Sequence, residues 1–123
     1  MKLSVGNDIV EHSRIEKIFQ RYEKRFLEKI FTKGEIDYCL SRAETVACIA
    51  ARFALKEAVI KALAHDRSFN WKDIELHGIS GKKDVILSGK AKELLHQKGF
   101  SAITASISHG KDYSTAVAVV YGE

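Results

Sequence analysis

The spacing of hydrophobic and polar positions changes several times along the chain, and each change marks an element. Leu3 to Val10 alternates weakly, which predicts a strand running into a loop at Gly6-Asn7-Asp8. Ser13 is suited to cap a following helix, in which Ile15, Phe19, Tyr22 and Phe26 form an apolar stripe at i, i+4, i+7 and i+11. Arg14, Ile18, Arg21 and Arg25 repeat that spacing on the neighbouring face. Thr32 and Glu35 form a capping box, and Phe31 is placed to pack on Ile36 as a hydrophobic staple, so a second helix starts there and ends near Leu40 to Arg42. A longer helix is expected from about Glu44 to Ala64, with no Gly or Pro to interrupt it. His65 to Asn70 is polar and loop-like. Ile74, Leu76 and Ile79 predict a strand from about Asp73, with a turn at Ser80-Gly81-Lys82-Lys83 and a hairpin partner at Val85-Ile86-Leu87. Ser88 to Lys98 reads as a short helix with Gly99 at its C-terminal cap. Ala102 to Ser108 and Ser114 to Tyr121 read as two strands around a His109-Gly110-Lys111-Asp112 turn.

Strand, helices, hairpin, helix and hairpin in that order predict an α+β fold, with a largely antiparallel sheet packed on a long central helix. At 123 residues, one domain covering 1–123 is expected. A composition 46% hydrophobic and 29% charged excludes a disordered chain. The first residues lack the apolar run of a signal peptide, and no apolar stretch is long enough to span a membrane. Cys39 and Cys48 are too few for a disulfide scaffold and wrongly spaced for zinc, so reduced thiols and a cytoplasmic location are expected.

Charge changes the picture through its location. Between His12 and Lys33 stand seven basic residues and three acidic ones, which accounts for the whole net charge of +4. A local basic patch implies an acidic partner: a carrier protein, a nucleic acid or a phosphorylated ligand. Taken alone, such a stripe is usually a solvated helix face.

The long helix carries the candidate chemistry. Ala51 to Leu63 is strongly apolar yet includes Arg52, Lys56, Glu57 and Lys61. Charges on such an element cost free energy unless they are paired or bind a ligand. Glu57 and Lys61 are four residues apart and share a face, the spacing of an ordinary surface ion pair. Asp8 reads as an acid at a strand end, where Gly6 lets the backbone turn; by itself it is a turn or cap residue. Ser106-Ile107-Ser108-His109 ends a strand. A lone His there is usually a surface residue, but beside Ser108 it is equipped to bind phosphate.

Taken together, these pieces resemble the holo-[acyl-carrier-protein] synthases, the short single-domain 4′-phosphopantetheinyl transferases. The matching pieces are Gly6-Asn7-Asp8-Ile9-Val10-Glu11, Arg25-Phe26-Leu27-Glu28 with Phe31-Thr32-Lys33-Gly34-Glu35, the Ala51 to Leu63 helix, Trp71-Lys72-Asp73-Ile74-Glu75, and Ser106-Ile107-Ser108-His109. They occur in family order across essentially the whole chain. The resemblance implies transfer of the phosphopantetheine arm of coenzyme A to a serine of apo acyl carrier protein, releasing adenosine 3′,5′-bisphosphate, in fatty acid biosynthesis. It implies Mg2+ held by Asp8 and Glu57, Lys61 on the phosphates, and Arg52, Ser108 and His109 at the nucleotide. Magnesium typically takes one or two carboxylates plus substrate phosphate, which suits that pair. Arg14, Arg21 and Arg25, with Ile18 and Phe26 between them, would dock the acidic carrier. A homotrimer with coenzyme A between subunits is implied as well.

Three positions depart from the family pattern: Asn7 between Gly6 and Asp8, Ala64 where the helix commonly ends in Gly, and Gly110 after His109. Trp71 reads as a packing residue. Two other readings compete. An inactive carrier-binding relative would be expected to lack the metal carboxylates. A small basic nucleic-acid-binding protein would leave Asp8, Glu57 and the Ser-Ile-Ser-His piece without a role, and no nucleic-acid motif accompanies the charge. Neither a nucleic-acid partner nor a membrane is expected.

Overall fold

In a computed structural model, which describes residues 1–22, 24–79 and 82–123, the elements follow the expected order. They are β1 (Lys2–Glu11), α1 (His12–Tyr22), α2 (Lys24–Ile30), α3 (Lys33–Leu40), α4 (Thr45–Ala62), a short 3-10 turn (Trp71–Asp73), β2 (Ile74–Ile79), β3 (Lys82–Leu87), α5 (Gly89–Gln97), β4 (Ala102–His109) and β5 (Tyr113–Gly122). The expected Ser80-Gly81 turn falls at residues outside those described.

The α+β expectation holds, with two antiparallel sheets. One has the order β1-β5-β4 and the other pairs β2 with β3. Helix α4 packs on the three-stranded sheet, and its buried residues, from Ala47 to Ala62, lie on nearly every side of it. A helix apolar all round belongs in an interior. The strand facing it is built small: Ser114, Ala116, Ala118 and Val120 of β5 are buried beneath it.

Gly6 explains how close the helix comes. A Cβ at Gly6 would lie 2.0 Å from the Ala58 carbonyl oxygen and 2.6 Å from the Ala62 nitrogen. The residue is therefore glycine for close approach of α4 to β1. The loop expected at residues 6–8 does not occur. Every residue from Lys2 to Glu11 pairs with β5, with Asp8 opposite Ala116. Asp8 thus stands inside a paired strand rather than at a turn, and Ser4 adds a hydrogen bond from its hydroxyl to the Ala62 carbonyl (2.7 Å).

The basic segment, expected as one helix, is helical on both sides of Glu23, as α1 and α2, and Glu23 lies outside the described residues. The capping box forms as expected: Thr32 Oγ1 accepts from the Glu35 amide and Glu35 Oε1 accepts from the Thr32 amide. The expectation of reduced thiols is corrected. Cys39 and Cys48 are joined in a disulfide, Cα–Cα 5.5 Å, which links α3 to the start of α4. Spacing in sequence gave no sign of it, because the α3–α4 turn is what returns Cys48 to Cys39. The outer face of the three-stranded sheet leaves Leu3, Val5, Ile9, Tyr113 and Val117 exposed. Among the described residues, no helix is long and apolar enough to cross a membrane.

Candidate active site

The four charged side chains of α4 divide between the interior and the surface. Lys56 is 0% exposed. Its Nζ donates to Glu35 Oε1 (2.8 Å) and to the carbonyls of Ile30 (3.0 Å), Trp71 (3.1 Å) and Ile74 (2.6 Å). Glu35 also accepts from the Leu76 amide. One ammonium thus ties α2, α3, the 3-10 turn and β2 to α4. Burial pushes the Lys56 pKa below its ordinary value, and the Glu35 carboxylate opposes that shift.

Arg52 is also buried. It lies over the Tyr38 ring, 4.6 Å from the centroid, and donates from Nη1 to Cys48 Sγ (3.2 Å). Its Nε is buried with no hydrogen-bond partner. Desolvation lowers its pKa, against the pull of Glu35 and Tyr38. An orphaned guanidinium donor costs free energy in a closed core but is an asset beside a pocket that takes an anion. Arg52 lines a pocket of about 360 Å³ together with Arg42, Glu44, Cys48 and His109. His109 is the last residue of β4, and its Nε2 lies 3.9 Å from Glu44 Oε2. Ser108 and His109 also border a second, shallower depression of about 410 Å³ over the β4–β5 turn.

Glu57 and Lys61 face outward, and each pairs with a residue from another part of the chain. Lys61 Nζ reaches across to β1, 3.1 Å from Asp8 Oδ1 and 3.0 Å from the Asn7 carbonyl. Glu57 receives a two-pronged contact from Arg67, Nη2 to Oε2 at 2.9 Å and Nη1 to Oε1 at 3.5 Å. The i,i+4 spacing sets the two side chains on one helix face, and Lys61 meets Asp8 because β1 runs unbroken beneath α4. Sequence reasoning assigned no role to Arg67. It lies in the polar 65–70 loop, where nothing in residue spacing points to Glu57.

Asp8 and Glu57 fit a hard divalent cation. Both are oxygen donors, both are partly buried, and each already holds a cationic side chain. Among the described residues, no group of three His, Cys, Asp or Glu side chains is placed to hold a metal. A cation held by two carboxylates keeps the rest of its shell for water and substrate oxygens, the usual habit of magnesium.

The basic residues lie on the helical segments either side of residue 23. Arg14 and Arg21 on α1 and Arg25 on α2 are exposed, and Ile18 is half-buried. Phe26 turns into an aromatic cluster, 6.1 Å from the Phe31 ring and 6.0 Å from Phe53. Trp71 stacks on Phe53 in the same cluster at 5.6 Å, the packing role expected for it. An apolar groove of about 590 Å³, lined by Phe19, Leu27, Phe31, Ile36 and Leu40, opens beside these helices.

Residues 4–118 match the family model of the 4′-phosphopantetheinyl transferase superfamily. A holo-[acyl-carrier-protein] synthase of Leptospira biflexa is 45% identical over 98% of both chains. One from Chlamydia trachomatis is 44% identical over 94% of this chain and 96% of its own. Among solved structures, the Helicobacter pylori holo-[acyl-carrier-protein] synthase in complex with coenzyme A superposes with a TM-score of 0.81 at 34% identity. It covers 94% of this chain and 98% of that one.

Proposed function

The chain belongs to the 4′-phosphopantetheinyl transferase superfamily, and from that premise we propose that it is a holo-[acyl-carrier-protein] synthase acting as a single domain. It transfers the phosphopantetheine arm of coenzyme A to a serine of apo acyl carrier protein and releases adenosine 3′,5′-bisphosphate, in support of fatty acid biosynthesis in the cytoplasm. The observation that carries this reading is the Lys61–Asp8 contact between α4 and β1, one helical turn from Glu57, in a chain 45% identical over its length to a holo-[acyl-carrier-protein] synthase.

In the reaction the serine oxygen forms a bond to the phosphorus bearing the pantetheine arm, and the bond from that phosphorus to the bridging oxygen breaks. The protein's task is positioning and charge stabilisation. Asp8 and Glu57 are the residues that would hold Mg2+, which supplies Lewis-acid neutralisation of the pyrophosphate. The Lys61 ammonium, held at Asp8 and the Asn7 carbonyl, is a point charge within reach of the same phosphates. Arg52 and His109, with Ser108 beyond, offer cationic and polar groups to the nucleotide end. The unpartnered Arg52 Nε supports that assignment.

The exposed arginines of α1 and α2 present positive charge to an acidic carrier, with Ile18 between them and the neighbouring groove supplying apolar contact. Phe26 contributes by fixing α2 against Phe53. The apolar outer face of the β1-β5-β4 sheet supports a homotrimer with coenzyme A bound between subunits, since a soluble monomer rarely leaves such a face open. The test is to incubate the protein with coenzyme A, magnesium and apo carrier protein and weigh the carrier. A gain of one phosphopantetheine is expected; an unchanged mass with every carrier tried would sink the reading.

A further inference from the structure

Glu57 is the one proposed cation ligand whose two carboxylate oxygens are both engaged. The Arg67 guanidinium meets Oε2 at 2.9 Å and Oε1 at 3.5 Å. A divalent cation that takes Glu57 therefore competes with the guanidinium for the charge of the same two oxygens. The two cationic partners at the site differ in how readily they can leave. Lys61 is rooted in α4, is 37% exposed, and has the Asn7 carbonyl as a second acceptor beside Asp8. Arg67 is 54% exposed and hangs on the loop after α4.

That loop is built to bring Arg67 back over the helix. It leaves α4 through two consecutive non-glycine residues in the left-handed region, Ala64 at φ 58° and His65 at φ 61°. The Cβ of an L residue crowds the following carbonyl in that region, so the reversal is held by its surroundings. The Ala64 amide donates to Lys61 O (3.1 Å) and the His65 amide to Ile60 O (2.9 Å), closing the helix end. Asp66 accepts from the Ser68 amide (2.9 Å) and lies 3.8 Å from Lys98 Nζ. The guanidinium itself sits 5.8 Å from the centroid of the Trp71 ring. Fork geometry, an aromatic platform and a braced loop act together on a single side chain.

We infer that Arg67 is an internal counter-ion which holds Glu57 in the cation-free protein and yields it to a divalent cation, so that Arg67 sets the affinity of the site. The inference rests on the proposed role of Glu57 as a cation ligand. Without a positive partner, the Asp8 and Glu57 carboxylates would repel each other; with a dication between them, one of the two fixed positive charges becomes surplus. Arg67 is the one free to withdraw, along the Trp71 ring and toward solvent.

The test measures Mn2+ binding directly, by electron paramagnetic resonance of the free ion, in the absence of coenzyme A and carrier. It uses the wild-type protein, Arg67→Gln and Glu57→Gln, each checked for fold by circular dichroism. Arg67→Gln should bind Mn2+ about two- to fivefold more tightly, the equilibrium equivalent of a partly exposed ion pair, and Glu57→Gln should lose binding. Equal or weaker binding in Arg67→Gln, with binding lost in Glu57→Gln, would overturn this inference and leave the cation role of Glu57 standing. Binding absent from the wild type, or retained in full by Glu57→Gln, would overturn both.

Discussion

Replacing Lys56 by Met probes the interior that supports the site. The methionine fits the space of the lysine stem but removes a fully buried ammonium that serves Glu35 and three carbonyls. Glu35, whose side chain is 1% exposed, is then left as a buried carboxylate whose hydrogen bonds, among the described residues, come from the amides of Thr32 and Leu76. Breaking a buried pair by removing one member costs about 3–5 kcal/mol, a large part of the roughly 5–15 kcal/mol that stabilises a typical domain. In urea, with a slope of about 1.5 kcal/mol per molar, that corresponds to a midpoint lowered by about 2–3 M at unchanged slope.

The pair itself is a weaker stabiliser than this cost suggests, because desolvation lowers the Lys56 pKa despite Glu35. Lys56→Met/Glu35→Gln leaves no buried charge and keeps an acceptor for one of the two amides, which donate to different oxygens of Glu35, so it should recover part of the loss. The sign with pH follows from the same shift. A lysine whose folded pKa lies below its unfolded value binds more protons when unfolded, so its contribution to stability grows as pH rises toward the ordinary value of 10.5. The variant should lack that rise. Urea titrations followed by circular dichroism at several pH values give all three quantities. A single variant costing under about 1 kcal/mol, or a double variant no more stable than the single, would refute the reasoning.

Gly6→Ala places a methyl 2.0 Å from a backbone oxygen of α4, so helix and strand must separate. Overpacking of this kind costs about 3 kcal/mol or more, and a thermal melt should fall by about 10 °C; a change under about 2 °C would contradict the close-approach role. Reversing Arg14 and Arg21 to Glu should raise the KM for carrier protein at least about tenfold, with the KM for coenzyme A little changed, because the two residues act on encounter with an acidic partner. Equal rises in both constants would contradict docking at α1.

The order of elements was legible because strands and helices here carry their own periods, and the capping box at Thr32 and Glu35 marked α3 to the residue. The rule that charges on an apolar helix need partners pointed correctly at α4. It did not name the partners, which come from β1, the 65–70 loop and α3, because pairings across the fold leave no local trace. Gly6 misled for an instructive reason. Glycine signals both turns and close approach, and only the neighbouring helix distinguishes them; the misreading moved Asp8 to a strand end although it stands in mid-strand. Ala64 is the reverse case. The family's usual glycine there marks a backbone reversal, and the structure keeps the reversal with alanine at φ 58°. The Cys39–Cys48 bond was hidden because the turn between α3 and α4 creates the proximity.

The central claim is that Asp8, Glu57 and Lys61 form the reaction centre. Its most direct test is the intact mass of apo carrier protein after incubation with coenzyme A, magnesium and either the wild-type protein or Glu57→Ala. The wild type should convert the carrier to the phosphopantetheinylated mass, while Glu57→Ala, with an unchanged circular dichroism spectrum, should leave it at the apo mass. Full conversion by Glu57→Ala at the wild-type rate would contradict the assignment.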